Sequence, residues 1–466
     1  MASGKTLNVK NLADLGAERL SELLLELANG DAAAKRRLRL ELASRNGGGD
    51  VAAEIRKRLS SIARSKSFVD WRKVGALARD LDMQRSAIMA HVAPARPADA
   101  FDLLWRLLEL APSIYELMDM ALDDLGAAAK QAKLEPRKLA DRVFDGVCAN
   151  DYAQFDGLID LMAEPLEREG LGLLKERFEE LASKTPAKAN ADNRRVIGIS
   201  TRAPIFQDDY EARHYDRLVQ SALTEIADAL GDADGYAARF SDAERTNPAI
   251  AARIAERLLA ADRADEAMAA LTVAEADYRK GGFWPDWRRV MIDVLDARGC
   301  VDEAQNERWA AFEQNLSAEY LRAFIKRLPD FDDGEAENRA LAYVGQYPDF
   351  HQALAFLVDW PAHGRAAELA LARHGEMDGN HYGLLTPAAD ALEQNHPLAA
   401  TLMLRAMIDF SLDRARSTRY RHAARHLQTC EYLARRIETF GDHPAHDGYV
   451  AQLRLRHGRK SGFWNA

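Results

Sequence analysis

Between residues 231 and 396 the chain punctuates itself at a nearly constant interval. Turn signals fall near Gly231, Asp262, Gly299, Asp333, Gly364 and His396, at spacings of 31, 37, 34, 31 and 32 residues. A period in the low thirties is the length of a two-helix unit such as the tetratricopeptide repeat. One such pair cannot bury its own apolar face, so each must stack on the next, and the expected product is a curved array with a concave groove. The wording around the turns recurs as well. Leu259-Ala-Ala-Asp-Arg-Ala-Asp-Glu-Ala267 is echoed by Leu295-Asp-Ala-Arg-Gly-Cys-Val-Asp-Glu-Ala304 and by His363-Gly-Arg-Ala-Ala-Glu-Leu-Ala370. The small residues in these stretches let the second helix of a pair lie close against the first.

Helical spacing extends toward the N-terminus. Leu12, Leu15, Leu20, Leu23, Leu24 and Leu27 recur mostly at threes and fours, which places them on one face of a single predicted helix stopped by Asn29-Gly30-Asp31. A second helix is expected from Ala32 to Ser44, ending in Asn46-Gly47-Gly48-Gly49, and a third from Val51 to Ser65. Seven more follow, the last from Leu171 to Ala182. The only alternating run is Arg195-Val196-Ile197-Gly198-Ile199, so negligible sheet is expected. The polar, proline-bounded stretch after Ser183 reads as a boundary. The expected architecture is all-α: an N-terminal helical domain over 1–185, a linker over 186–205, and tetratricopeptide-like repeats over 206–466 that close on a C-terminal capping helix.

An apolar fraction of 47% against 29% charged residues excludes wholesale disorder. No apolar run approaches the roughly 18 residues needed to cross a bilayer. The opening Met-Ala-Ser-Gly-Lys-Thr has no secretory apolar core, so a cytoplasmic location is expected. Cys148, Cys300 and Cys430 form no CxxC pair and read as reduced thiols.

Charge is unevenly spread. Residues 1–100 hold 18 Lys and Arg against 12 Asp and Glu, and residues 401–466 hold 12 against 6, so the middle carries 33 against 55. An acidic body favours a basic ligand, while two basic ends could meet separate partners or the body itself.

Two stretches at opposite ends of the chain, Tyr420-Arg-His-Ala-Ala-Arg-His-Leu-Gln-Thr-Cys430 with Tyr449 to Trp464, and Glu54 to Arg64 with Phe68-Val-Asp-Trp71, resemble a family of uncharacterised bacterial all-helical proteins. More loosely, the C-terminal half is similar to helical-repeat regions associated with SWIM zinc-finger proteins. The Cys-x-Cys of that finger is absent here, so the resemblance implies no zinc chemistry.

Walker, GxGxxG, GxSxG and HExxH motifs are all absent, so no enzyme is expected, and no cofactor. His422, His426 and Cys430 fall four residues apart on one helical face, a spacing that can hold a metal, but the flanking Arg419, Arg421 and Arg425 oppose a cation and no metal is expected. Tyr236, Tyr278, Trp284, Trp287, Trp309, Tyr343 and Tyr382 are the candidate groove contacts for a peptide or protein partner, because aromatic rings are the usual anchors of such surfaces. Candidate anion or nucleic-acid contacts are Arg56, Lys57, Arg58 and Arg72 near one end and Arg456, Arg459 and Lys460 at the other. The first set points to a protein-binding scaffold or adaptor. Its alternative, carried by the second, is a nucleic-acid-associated regulatory or defence component.

Overall fold

Leucine and alanine at threes and fours become helix throughout the structure, a computed structural model that describes residues 7–64, 71–110, 115–150, 154–184, 195–199, 204–329 and 331–466. The fold is all-α, with twenty-five α-helices among the described residues. One small exception lies in the run that alternated: Val196–Ile199 (β1) pairs antiparallel with Pro204–Phe206 (β2) as a two-stranded hairpin. Most of the expected linker, 186–194 and 200–203, lies outside the described residues.

The chain divides into two compact units, Met1–Asp262 and Arg263–Ala466. This corrects the expected boundary. Helix Gln207–Leu230 buries Val219, Leu223 and Ile226 in the same core as the helices before the polar stretch, so the first unit continues past that stretch.

In the first unit, Val9–Ala13 (α1) and Ala17–Leu27 (α2) replace the single helix expected there, because Gly16 takes a positive φ of 82° between them. Their leucine face is largely uncovered, with Leu24 48% and Leu27 76% exposed. Ala32–Ser44 (α3) starts from Asp31, whose carboxylate accepts from the amides of Ala33 and Ala34. Gly48–Arg64 (α4) begins earlier than its apolar pattern. A Cβ on Gly48 would sit 2.6 Å from the carbonyl oxygen of His91, so only glycine lets α4 approach the π-turn Ile88–Val92 that ends Trp71–Ala87 (α5). Pro97–Leu110 (α6) buries Phe101, Leu103, Leu104, Trp105, Leu107 and Leu108, apolar on nearly every side, and forms the centre of the core. Around it stand Tyr115–Ala132 (α7), Pro136–Cys148 (α8), the long Leu158–Ser183 (α9) and Gln207–Leu230 (α10). Helix α9 carries Pro165, whose missing amide hydrogen interrupts the ladder, and two residues on Glu167 leaves helical geometry with φ 54°. The short helices Ala233–Ala237 (α11) and Asp242–Arg245 (α12) lead to Pro248–Ala260 (α13).

Paired helices make up the second unit. Ala264–Arg279 (α14), Pro285–Ala297 (α15), Val301–Asn315 (α16), Ala318–Ile325 (α17), Asp333–Gly345 (α18), Phe350–Asp359 (α19), His363–Ala372 (α20), Tyr382–Leu392 (α21) and Pro397–Asp413 (α22) succeed one another, with packing mainly between chain neighbours. Small residues do sit in the tight seams: Ala267 and Ala274 of α14, Ala304 of α16, and Ala366, Ala367 and Ala370 of α20 are buried. The unit closes on Tyr420–Ala434 (α23), His446–His457 (α24) and Ser461–Trp464 (α25). There Phe463 is buried against Tyr420, and the Trp464 indole donates to the His457 carbonyl at 2.9 Å. The aromatic tail is thus a packed end.

Candidate functional site

Four helix ends meet in the second unit, and the reason is local. Helix α14 stops at Gly281-Gly282, both with positive φ (100° and 124°), a conformation that side chains resist. Trp284 then caps α15 and Pro285 opens it, while Leu316, left-handed at φ 49°, ends α16 before Ser317 starts α17. The cleft left between these ends has a volume of about 260 Å³. Its walls include Tyr278, Phe283, Trp284 and Tyr320, with Arg288, Gln314, Asn315 and Ser317 as polar members.

Each ring is held differently. Trp287 is buried beneath, stacked on Tyr278 at a centroid distance of 4.0 Å and 21°, and its indole donates to the Leu271 carbonyl at 3.4 Å. Arg288 donates from Nε to the Tyr278 hydroxyl (2.9 Å) and from Nη1 to Gln314 Oε1 (2.8 Å), with Glu307 at 3.8 Å to balance its charge. Burial pushes the Tyr320 hydroxyl above its ordinary range. Trp284 Nε1 is buried beside Gly282 and has no acceptor among the described residues. Phe283, at the lip, is 77% exposed.

The seven expected aromatic contacts therefore separate. Tyr278 and Trp284 line the cleft, and Trp287 is buried beneath Tyr278 without lining it. Tyr236 is buried in the first unit beneath the Arg257 guanidinium, 4.2 Å from its ring, and Trp309 is buried in the second unit's core between Phe312 and Phe324. Neither presents a ring to a ligand, which corrects their assignment as groove contacts. Tyr343 turns its hydroxyl to the Glu313 carbonyl at 3.1 Å, fastening the end of α16. Tyr382 is exposed but lines a separate cavity of about 290 Å³ with Arg419, His422 and His426. The members that the aromatic pattern missed are Arg288, Gln314 and Tyr320. Only the exposed Phe283, inside Phe-Trp-Pro-Asp-Trp, carried a local signal.

The basic candidates are also divided. Arg456 binds Asp413 at 2.7 Å and Lys460 donates to the Leu412 carbonyl, so both fix the last helices instead of standing free for phosphate. Arg459 is exposed. Near the other end, Arg56 lies 3.5 Å from Asp99, Arg58 pairs with buried Asp80, and Lys57 is exposed. Arg72 falls on α5 with its side chain outside the described residues.

His422 and His426 line the Tyr382 cavity, whereas Cys430 is buried, Sγ toward the Thr401 carbonyl at 3.9 Å, with burial pushing its thiol up to about 12. Among the described residues no group of three His, Cys, Asp or Glu side chains is arranged to hold a metal. Histidine burial has a thermodynamic consequence. His351, His426, His443 and His446 are all held below the ordinary imidazole range, by burial first; positive neighbours add to it, His381, His422, His374 and Arg405 respectively. As pH falls through about 6.5 the unfolded chain takes up protons that these folded sites refuse, so stability must fall with pH in that window. The expected result is a lower urea midpoint at pH 5.5 than at 7.5, with His426→Gln flattening part of the slope. A midpoint that holds or rises on acidification would contradict it.

A profile described as a family of unknown function, DUF6880, matches residues 2–466. No curated protein matches the chain. Among solved structures, a circular tandem repeat protein with novel repeat topology and enhanced subunit contact surfaces is similar over 98% of this chain and 93% of its own, at 14% identity and a TM-score of 0.16. A superposition that poor carries no argument about function or arrangement.

Proposed function

The chain belongs to the DUF6880 family, whose function is unknown, and from its own geometry we propose that it is a non-catalytic, cytoplasmic protein-binding scaffold. Its second unit serves as a tetratricopeptide-like array, and the cleft at Trp284 anchors a basic segment of a partner protein. The observation that carries this reading is the convergence of Tyr278, Phe283, Trp284 and Tyr320 on one cleft with Phe283 left mostly in water. At about 260 Å³ the cleft suits one or two side chains better than a whole cofactor.

Arg288, the charged residue lining the cleft, is met by Glu307 at 3.8 Å, and the segment around the cleft is acidic, which favours a cationic occupant. Residues 275–320 carry ten Asp and Glu against six Lys and Arg. A lysine or arginine over an indole face gains about 0.5–2 kcal/mol, depending on how dry the contact is. A partner carbonyl entering beside Gly282 would also give the Trp284 N–H the acceptor it lacks. Nucleic-acid association through both basic ends has less support, because Arg456 and Lys460 are engaged by Asp413 and Leu412.

The test is a benzophenone photocrosslinker placed at Phe283 and activated in native cytoplasm. A discrete protein adduct, lost on Trp284→Ala, is the supporting result. Anchors of this kind are worth about 2 kcal/mol or more, so Trp284→Ala should weaken the isolated partner peptide roughly 30-fold by calorimetry. Adducts that are absent, or indifferent to Trp284→Ala, would overturn the assignment.

A further inference from the structure

Three helices of the first unit enclose a second, basic cavity of about 180 Å³. Arg36, Arg39 and Leu40 reach it from α3, Glu54, Lys57, Arg58 and Ser61 from α4, and Gln84 from α5.

Its charges do not balance. Asp80, 4% exposed, is the one buried carboxylate here, and it serves both guanidiniums: Arg58 donates to Oδ2 from Nε at 2.9 Å and also from Nη2, and Arg36 donates to Oδ1 at 3.2 Å. Arg39 and Lys57 have no anionic partner among the described residues. Four cations against Asp80 and Glu54 leave two positive charges facing one small space. An oxyanion is the ligand that answers them, and guanidinium is the group best shaped to hold it.

Gln84 adds a requirement that charge alone does not. It is 1% exposed, its Nε2 is turned toward Asp80 Oδ1 at 3.5 Å, and its Oε1 is buried without any hydrogen-bond partner among the described residues. An acceptor left unsatisfied in the interior costs about 1–3 kcal/mol. A fully ionised oxyanion cannot relieve it. A phosphate group can: a monoester, with a second pKa of about 6, is still partly protonated near pH 6, and the free ion keeps a P–OH even as its dianion.

We propose that this cavity binds a phosphate group, as the free ion or a small monoester, with Arg36, Arg39, Lys57 and Arg58 on its charged oxygens and Gln84 Oε1 accepting from its P–OH. The cationic donors and the lone acceptor select phosphate over sulfate, which has the same shape but no proton to give. The site is independent of the Trp284 cleft, and either assignment can fail without the other.

Calorimetric titration of the full chain at pH 6 and low salt tests it, with inorganic phosphate, phenyl phosphate and sulfate as probes. Phosphate is expected to bind at least 10-fold more tightly than sulfate. Lys57→Ala and Arg39→Ala, both exposed positions, should weaken phosphate about 10-fold each with no change in melting temperature. Gln84→Leu should bring phosphate and sulfate together. Phenyl phosphate separates the two sources: binding as tight as inorganic phosphate marks an ester site, and its exclusion marks a site for the free ion. Equal affinity for phosphate and sulfate in the native chain, or no heat of phosphate binding up to millimolar concentration, would overturn the proposal. So would a phosphate affinity unmoved by Lys57→Ala, a variant that does not depend on Gln84→Leu folding.

Discussion

Phe312→Ala is expected to lower the stability of the chain by about 3–5 kcal/mol, the range found when a large buried aromatic is truncated. The ring is fully buried on α16, where α18 and α19 pack across it. Its centroid lies 5.3 Å from Trp309, 5.7 Å from Phe356 and 6.0 Å from Tyr343, all in tilted contact. How much of the hole survives decides the magnitude, and here the neighbours are pinned. Trp309 donates its indole hydrogen to Glu313 at 2.6 Å, and Tyr343 is tied to the Glu313 carbonyl, so neither ring can slide inward without breaking a hydrogen bond. The residual cavity should therefore stay open, and the loss should sit toward the top of the range. Urea denaturation is the measurement, with an unchanged m-value confirming that the native state itself was destabilised. Phe312→Leu, which refills most of the space, should lose less than half as much. A loss under about 1 kcal/mol for the alanine variant would mean that the cluster repacks and that this is not the core of the unit.

The fold was readable because helix periodicity and turn chemistry are local. Gly231, Asp262 and Gly299, marked as turns from the spacing of repeats, take positive φ of 66°, 58° and 72°. What sequence could not report is which surface meets which. The leucines of α1 and α2 have the spacing of a core face, yet spacing only says that one side of a helix is apolar; nothing in it names a partner, and Leu24 and Leu27 stand largely in water. The polar, proline-bounded stretch after Ser183 reads as a boundary, but the composition of such a stretch describes only itself. Whether the next helix joins the old core or a new one is decided by Val219, Leu223 and Ile226, which lie well past it.

Sites were harder still, for the same reason. Aromatic residue type does not distinguish an anchor from a core ring, so Trp309 and Tyr236 were grouped with Trp284 although burial separates them. The basic run at Arg56 to Arg58 drew notice as a linear patch. In the structure its members diverge, Arg56 toward Asp99 and Arg58 toward Asp80, while Arg36, Arg39 and Gln84 join the cavity from other helices. No window along the chain contains that set.

Long-range pairing also supplies the second large effect. Asp296, on α15, accepts hydrogen bonds from Arg308 of α16 and from Arg327 at 3.3 Å. Arg308 is only 2% exposed, and its other described partner is a neutral one, Gln305 Oε1 at 3.0 Å. An arginine cannot shed its charge to escape this position. Removing the carboxylate strands a buried cation, for which about 3–5 kcal/mol is typical. Asp296 itself is 32% exposed, so water entering where it stood softens the penalty. Asp296→Ala is therefore expected to destabilise by about 2–4 kcal/mol. The decisive variant is the double one. Arg308→Met keeps most of the buried volume and removes the charge, and replacing a whole ion pair by apolar groups is often neutral or better, so Asp296→Ala with Arg308→Met should return to within about 1 kcal/mol of the native chain. Such a rescue is a coupling energy, read directly from a double-mutant cycle by urea denaturation. If the two substitutions add instead, leaving the double variant less stable than either single one, then Arg308 contributes through the packing of its stem and its charge is satisfied by something other than Asp296.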